Sequence, residues 1–569
     1  MMVDSARLTA FTPKLVTVIG EGYSTGHFRR DALAGLIVAI VALPLAMALA
    51  IASGASPDKG IVTSVVAGFL ISALGGSRVQ VGGPTGAFVV VVFNVIAQHG
   101  YDGLLLATMM AGIILIVAGY SGLGSLVRFI PQPVVTGFTA GIAVIIASSQ
   151  IRDFLGLSMK SVPADFIQKW EAYFQALGSI RIDTLAIGVG ALGMIVMLRT
   201  WAPRWPAFLI TVVAASASAA MLHLPIETIG SRFPDLPAGL PAPALPDISF
   251  SKLQSVMPSA FTIAFLAGIE ALLSAVVADG MIGSRHRSNQ ELVGQGVANL
   301  ASALFGGLPA TGAIARTATN IKAGGITPIS GMMHAVFLLI FILFASRLMA
   351  YVPLAALAAI LFMVAWGMSE HHRFIQLLRM PGGERALLLL TFALTVLVDL
   401  TVAIGVGVTL ASLLFMLRMS QAVEITNDGD RLSYAINDGD EDIHQRDALP
   451  AGVEVFRIDG PVFFGVAGEL LDTLRSVGSR PRVIILRMRR VPMLDASGVT
   501  TIGDIVRYAA AGNTQIILSC VQAQPLAMLA RADLGPDSAR VIHSANFSEA
   551  LCAASRVSEA AAIGTISTD

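Results

Sequence analysis

The sequence predicts an α-helical polytopic membrane protein, 14 segments in a 7+7 inverted repeat, followed by a small α/β domain. Three observations predict it. The 569 residues are 55% hydrophobic and only 13% charged, where soluble domains carry about 25% charged residues. From Asp31 to Ser420 the apolar runs hardly stop, and between Leu33 and Val127 the only charges are Asp58, Lys59, Arg78 and Asp102, each at a gap between runs. A Gly/Pro break with a Thr-Gly pair also occurs twice, as GGPTGAF at Gly82–Phe88 and GGLPATGAIAR at Gly306–Arg316, with Pro84 and Pro309 lying 225 residues apart.

A bilayer-spanning helix needs about 20 apolar residues. Reading between charges and Gly/Pro breaks places segment centres at Ala39, Ala67, Val91, Ile113, Ala143, Val189, Val212, Leu266, Val297, Ala318, Leu338, Ile360, Thr391 and Val408. The third and tenth are too short to span alone. An even count puts both termini on one face. Arg78, Arg128, Arg199, Arg204, Arg285, Arg287, Arg373, Arg379, Arg385 and Arg418 gather there, and the opposite short loops hold little positive charge beyond Lys59 and Arg347. That bias marks the cytoplasmic side of a cell (inner) membrane. Between Arg152 and Asp183, residues Phe166, Ile167, Trp170, Phe174 and Leu177 follow helical spacing, which reads as an amphipathic helix on the outer surface or packed on the spans.

The same 225-residue offset carries Pro44, within the first span, to Ile269 beside Glu270 in the eighth. The first and eighth spans therefore correspond, as do the third and tenth. Two repeats of seven in one chain are inverted, because the second begins on the opposite face. The expected boundaries are 1–30 for a cytoplasmic N-terminal segment and 31–420 for the membrane domain, with repeats 31–233 and 247–420 around a Pro-rich linker, Pro234–Pro246. A linker over 421–451 and a cytoplasmic domain over 452–569 follow. Asn427–Asp442 is acidic and turn-rich. Strands are expected at Val453–Ile458, Val483–Met488 and Thr514–Cys520, and helices at Phe464–Val477, Gly498–Ala510 and Pro525–Arg531. The pattern gives a largely parallel sheet.

A helix that starts in mid-membrane leaves its first N–H groups unpaired and carries partial positive charge there. Two such starts facing each other form an anion site. Pro84, Thr85, Gly86, Ala87 and Phe88 open the first half-helix; Thr311, Gly312, Ala313 and Ile314 open the second. Gln80, Thr317 and Asn320 are secondary candidates. Glu270 is a carboxylate in mid-membrane, which by default has a function; it reads either as a cation site, for H⁺ or Na⁺, or as a structural hydrogen-bond partner of a broken-helix end. Arg316, about one turn into the second half-helix, needs an anion, an ion pair with Glu270 or a snorkelling position. Asp399 reads as a helix cap, and Asp279, Arg285 and Arg287 as solvated loop charges.

Segments ALPLAMALAIASG (Ala42–Gly54), GGSRVQVGGPTGAF (Gly75–Phe88), GIEALLSAVVADGM (Gly268–Met281) and GGLPATGAIARTATNIKAGG (Gly306–Gly325) resemble the SulP anion transporters, relatives of pendrin, prestin and the cyanobacterial bicarbonate transporters. The C-terminal part resembles the STAS domain these proteins carry. The resemblance runs from Phe28 to Ser558. It implies a core domain and a gate domain, an elevator-like motion of the core, and homodimers. It also implies that the basic residue at the position of Arg316 lies beside the anion. In the sodium-coupled bicarbonate carriers of the family the acidic residue is Asp, with a hydroxyl one turn later; here Glu270 and Ser274 stand at those places. A Na⁺ site would use Glu270, Ser274 and Thr311, and the longer Glu suits a proton carrier at least as well. Soluble STAS antagonists carry a phosphorylated Ser directly after the Asp of LDASGV (Leu494–Val499); here that position is Ala496, so no phospho-switch is expected, and Ser497 reads as a helix cap.

The expected activity is secondary active transport of sulfate, bicarbonate or a C4-dicarboxylate, coupled to H⁺ or Na⁺. No ATP-binding loop, nucleophile–base pair or metal spacing is present in the sequence, so neither an enzyme nor a resident cofactor is expected. A net charge of zero gives nucleic acid no electrostatic purchase. The two cysteines, Cys520 and Cys552, both in the polar C-terminal part, suit reduced thiols in a cytosolic domain. Two other readings stand beside the carrier: a membrane sensor signalling through its STAS-like part, and a nucleobase permease of the same inverted-repeat fold. The charge of Arg316 disfavours the second.

Overall fold

The computed structural model describes residues 11–125, 131–159, 162–163, 165–203, 205–234, 239–398, 400–421, 423–427, 449–463 and 481–566. Arg128, Arg204, Asp399, part of the Pro-rich linker, the acidic stretch after Asn427 and the helix expected over Phe464–Val477 lie outside them. The chain divides into two compact units, Met1–Leu410 and Ala411–Asp569.

In the first unit a short helix α1 (Lys14–Gly20) precedes α2 (Thr25–Ala52) and α3 (Pro57–Leu74). A two-residue strand β1 (Gly82–Gly83) then leads into α4 (Phe88–Tyr120), α5 (Gln132–Leu155), α6 (Phe166–Ala176), α7 (Ile182–Trp201) and α8 (Ala207–Met221). After the linker come α9 (Phe250–Ile282), α10 (Ser288–Leu304), strand β2 (Thr311–Gly312), α11 (Ile314–Lys322), α12 (Pro328–Met349), α13 (Leu354–Met368), α14 (Gly382–Leu397) and α15 (Leu400–Gln421). Every segment centre read from the sequence falls inside a helix. Among the described residues, nine helices are long and apolar enough to cross a membrane. Gly100, at φ 71°, breaks α4 into a half-helix and a spanning helix, which separates the third and fourth segments.

The helices pack in two sets. In one, α4 lies against α9 and α10, α12 against α2 and α3, and α11 against α9; in the other, α5 lies against α13 and α14, and α7 against α8 and α13. Tight crossings in lipid need small residues. A Cβ on Gly112 would sit 2.7 Å from the Gly296 carbonyl oxygen, and one on Gly296 would sit 2.5 Å from that of Gly112, so α4 and α10 meet backbone to backbone.

Helix α6 forms where helical spacing predicted it, capped by Asp165, which accepts from the amides of Ile167 and Gln168. Lys169 and Tyr173 are buried, while Ile167 and Phe174 are 64% and 66% exposed.

In the second unit five strands lie in sequence order: β3 (Glu424–Asn427), β4 (Val453–Asp459), β5 (Val483–Arg490), β6 (Gln515–Ser519) and β7 (Ile542–Ser544). Strand β3 runs antiparallel to β4 and the other pairs are parallel. Alternation along the strands feeds two apolar layers. Phe456, Ile484, Leu486 and Leu518 share a cluster with Ile502 and Val506 of α16 (Ala496–Ala511). Val455, Ile485 and Ile517 share another with Phe547 and Ala554 of α18 (Phe547–Ile566). Between them in sequence lies α17 (Ala523–Ala530). Asp495, not Ser497, caps α16 by accepting from the Gly498 amide at 2.8 Å. A carboxylate reaches the third amide of the helix from one position earlier, which leaves Ser497 in the first turn.

Candidate functional site

The two sequence breaks meet. Strand β1 pairs antiparallel with β2, Gly82 opposite Gly312 and Gly83 opposite Thr311. The Ala313 amide adds a third rung by donating to the Val81 carbonyl at 2.9 Å. Each strand runs at once into a half-helix, with Ala87 and Ala313 at the cap positions and no side chain capping either start. At the first start the Phe88 and Val89 amides donate to the Thr85 and Gly86 carbonyls, at 3.3 and 3.1 Å, while the uncapped second start leaves first-turn amides open to a ligand. Ile314 and Ala315 are exposed at this point, and Thr85 and Glu270 are half-buried.

Glu270 on α9 reaches the first break directly: the Thr85 hydroxyl donates to its Oε2 at 2.6 Å. Ser274, one turn along, is fully buried and gives its hydroxyl to Thr317 Oγ1 at 3.3 Å. Thr311 also lies buried and donates to the Ala267 carbonyl at 2.8 Å. The hydroxyls of Ser274 and Thr311 are thus committed inside the protein, and only Thr85 engages Glu270. Among the described residues, no cluster of three or more His, Cys, Asp or Glu side chains could hold a metal ion.

Arg316 does something the sequence did not reveal. It is buried, and its guanidinium spans the break in the other half of the chain. Nη2 donates to the Pro84 carbonyl at 2.8 Å, while Nη1 lies 3.4 Å from the Gly82 carbonyl and 3.5 Å from Ser64 Oγ. The arginine is a clamp on β1, not an ion-pair partner of Glu270, and its charge stands behind the crossing. Gln80 is buried too, and its amide donates to the Ala271 carbonyl at 3.2 Å. Thr317 accepts from the Val81 amide, and Asn320 donates to the Val79 carbonyl and to Ser330. Gly86, Ala87 and Phe88 are buried against the second helix set. A Cβ on Gly86 would lie 2.6 Å from Met368 Sδ and 3.2 Å from Ile146 Cδ1.

Three anchoring residues were not singled out from the sequence. Glu291, buried in α10, accepts from the Gly76 and Ser77 amides at 2.8 and 3.1 Å. Asp31, buried in α2, accepts from the Ile326 and Thr327 amides at 2.9 and 3.2 Å. Asn299 holds both backbone groups of Ala310 at 2.8 Å. The readable signal was an acidic residue beside an apolar run, Glu291 in the first turn of α10 and Asp31 in the second turn of α2. The partners, however, are backbone amides more than two hundred positions away.

The description of a sulfate permease family matches residues 28–391, and that of a STAS domain matches residues 449–545. The chain belongs to the sulfate permease family. Among similar members is the putative sulfate transporter YvdB of Bacillus subtilis, 40% identical over 517 residues that cover 90% of this chain and 95% of that one. The bicarbonate transporter BicA of Picosynechococcus sp. is 32% identical over 86% of this chain and 89% of its own length. The transmembrane domain of a cyanobacterial BicA matches in structure with a TM-score of 0.61 and 34% identity, over 67% of this chain and 99% of that one. SLC26A9 shares the fold across 97% of this chain at a TM-score of 0.83 and 16% identity. These sulfate permease relatives are named as transporters, in line with a protein that is not an enzyme.

Proposed function

We propose that this sulfate permease is a gradient-driven carrier of a small oxyanion, sulfate or bicarbonate, coupled to H⁺ or Na⁺ entry at Glu270. The observation that carries the reading is the hydrogen bond from Thr85 to Glu270 beside the β1–β2 crossing. The anion takes the first-turn amides of Ile314 and Ala315 and those at Thr85 and Gly86, with Arg316 adding positive charge from behind. Pro84, Ala87, Phe88, Gly312 and Ala313 shape the backbone around it. The names of the relatives support sulfate and bicarbonate as cargo.

Coupling follows from electrostatics. An ionised Glu270 beside the anion repels it by about 3 kcal/mol at a separation of ~6 Å and an effective dielectric of ~20. That is roughly a hundredfold in affinity. A proton or Na⁺ on Glu270 removes the repulsion, so anion and cation load together. Ser274 and Thr311 donate their hydrogens to Thr317 and Ala267 and keep oxygen lone pairs that a Na⁺ beside Glu270 would use, so either cation suits the site.

The seven-plus-seven inverted repeat, the assignment of the two helix sets as core and gate, an elevator-like motion, cytoplasmic termini and a homodimer belong to the same proposal. Uptake of labelled sulfate, bicarbonate and fumarate into proteoliposomes, with pH and Na⁺ gradients applied separately, tests it. Glu270→Gln is expected to abolish uptake against a gradient and to preserve folding. Concentrative uptake by that variant would remove Glu270 from the coupling step.

A further inference from the structure

A well-formed cavity of the membrane unit lies away from the crossing. It has a volume of about 460 Å³ and lies alongside the far stretch of the first half-helix, at Phe93, Asn94 and Gln98. Residues of α5, including Gln150 and Arg152, line a second wall, and Lys169 of α6 closes a third. With the termini cytoplasmic, this is the external side.

Lys169 is the unusual wall residue. A lysine on a surface helix ordinarily extends its ammonium into water. Here the residue is 4% exposed, while the apolar Ile167 and Phe174 of the same helix face outward. Its ammonium lies 5.7 Å from the centre of the Phe93 ring. Among the described residues it has no hydrogen-bond acceptor and no ion-pair partner. A ring face attracts the charge but leaves its N–H donors unmet. Burial holds the lysine pKa below its usual value, with the nearby Asp165 acting the other way.

The acids of the cavity are already engaged. Asp153 receives two bonds from Arg232, at 2.8 and 3.1 Å. Asp165 accepts the Ile167 and Gln168 amides on Oδ1, at 3.0 Å each, and makes no ion pair with Lys169. Arg152 has no acid partner among the described residues. Lys169, buried, and Arg152, half-buried, thus both line the chamber without an ion-pair partner among the described residues, and a buried charge such as that of Lys169 is costly unless something compensates it.

We propose that this chamber is a second, external anion site, in which Lys169 and Arg152 hold the incoming small oxyanion before it passes along the half-helix to the crossing, with α6 as its cover. The inference rests on the carrier reading for the identity of the anion, and the observations that carry it are independent of Glu270.

The first test needs no variant. The purified full-length protein is treated with an amine-reactive acylating reagent, with and without millimolar sulfate or bicarbonate, at constant ionic strength kept with gluconate. Modification of Lys169 is read by mass spectrometry. The expected result is several-fold protection by sulfate or bicarbonate, retained in Glu270→Gln. Equal labelling in every salt overturns the proposal.

The second test measures initial uptake from the external face. Loss of one contacting charge in Lys169→Gln raises the KM about tenfold, with kcat nearly unchanged, and Lys169→Arg restores it. A KM equal to that of the unsubstituted protein in Lys169→Gln overturns the proposal. Protection of Lys169 in a protein that moves no anion would keep the external site and remove the carrier reading. Flux with neither protection nor a KM change would do the reverse.

Discussion

Gly83→Ala probes the crossing most directly. Gly83 has φ 148°, and a Cβ there would overlap Nη1 of Arg316 and come within 3.2 Å of Ser64 Oγ. The backbone strain of a side chain in this region is about 1–3 kcal/mol. Dislodging one hydrogen bond of a charged group costs about 1.5–3 kcal/mol more. The total of about 2.5–6 kcal/mol lowers the population of the intact crossing by about seventyfold or more. Gly100→Ala supplies the control, since Gly100 also has positive φ, at 71°, but a Cβ there meets nothing within 4 Å. The two variants share the backbone term and differ in the clash with the clamp. The assay is initial uptake of labelled sulfate and bicarbonate in proteoliposomes, with thermal unfolding in detergent measured in parallel. Gly83→Ala is expected to transport about ten- to a hundredfold more slowly than Gly100→Ala, the difference being the clamp term alone. Gly83→Ala transporting at the rate of Gly100→Ala would show that Arg316 does not need its seat on β1.

Arg316→Lys keeps the charge but cannot span the Pro84 and Gly82 carbonyls with one ammonium, so uptake is expected to fall at least about tenfold in the same assay. Normal uptake would make the charge alone sufficient. Glu291→Ala leaves the Gly76 and Ser77 amides buried without an acceptor, at about 2–4 kcal/mol, which thermal unfolding in detergent reads as a lowered midpoint. An unchanged midpoint would mean that those amides find water. Asp495→Ala removes the cap of α16, worth about 1 kcal/mol. Amide exchange in the first turn of that helix, followed in the full chain, is expected to speed up about fivefold, with anion uptake unaffected.

The helices and the breaks were legible because lipid imposes a harsh rule on the sequence: long apolar runs, with charges and Gly/Pro only at ends and interruptions. The motifs GGPTG and GGLPATG signalled two helix starts, and those starts meet in the structure. The partners of Glu270 and Arg316 were less legible. Glu270 read as a cation site or as a hydrogen-bond partner of a broken-helix end, and it accepts from the Thr85 hydroxyl at that break; Arg316 read as facing an anion, pairing with Glu270 or snorkelling, and its guanidinium donates to backbone carbonyls of the other half. A side chain bound to another segment's backbone leaves no trace in that segment's sequence. The inward turn of Lys169 was hidden for a related reason. Helical spacing identified α6 and its apolar stripe, but a neighbouring cavity, not the stripe, decided which face is buried. Strands β3 and β7 were missed because four and three residues are too few to show a period.

The anchors around the crossing also constrain how the protein is made. Asp31 waits for Ile326 and Thr327, Gly76 waits for Glu291, and Pro84 waits for Arg316. A nascent chain that has inserted only its first few helices holds a buried carboxylate and several loose backbone groups whose mates have yet to leave the ribosome. The anchors of the N-terminal half are therefore met only when the second half follows: the crossing once synthesis has passed Arg316, and Asp31 once it has passed Thr327. The two halves, produced as separate polypeptides, would have to find each other in the bilayer before either became competent.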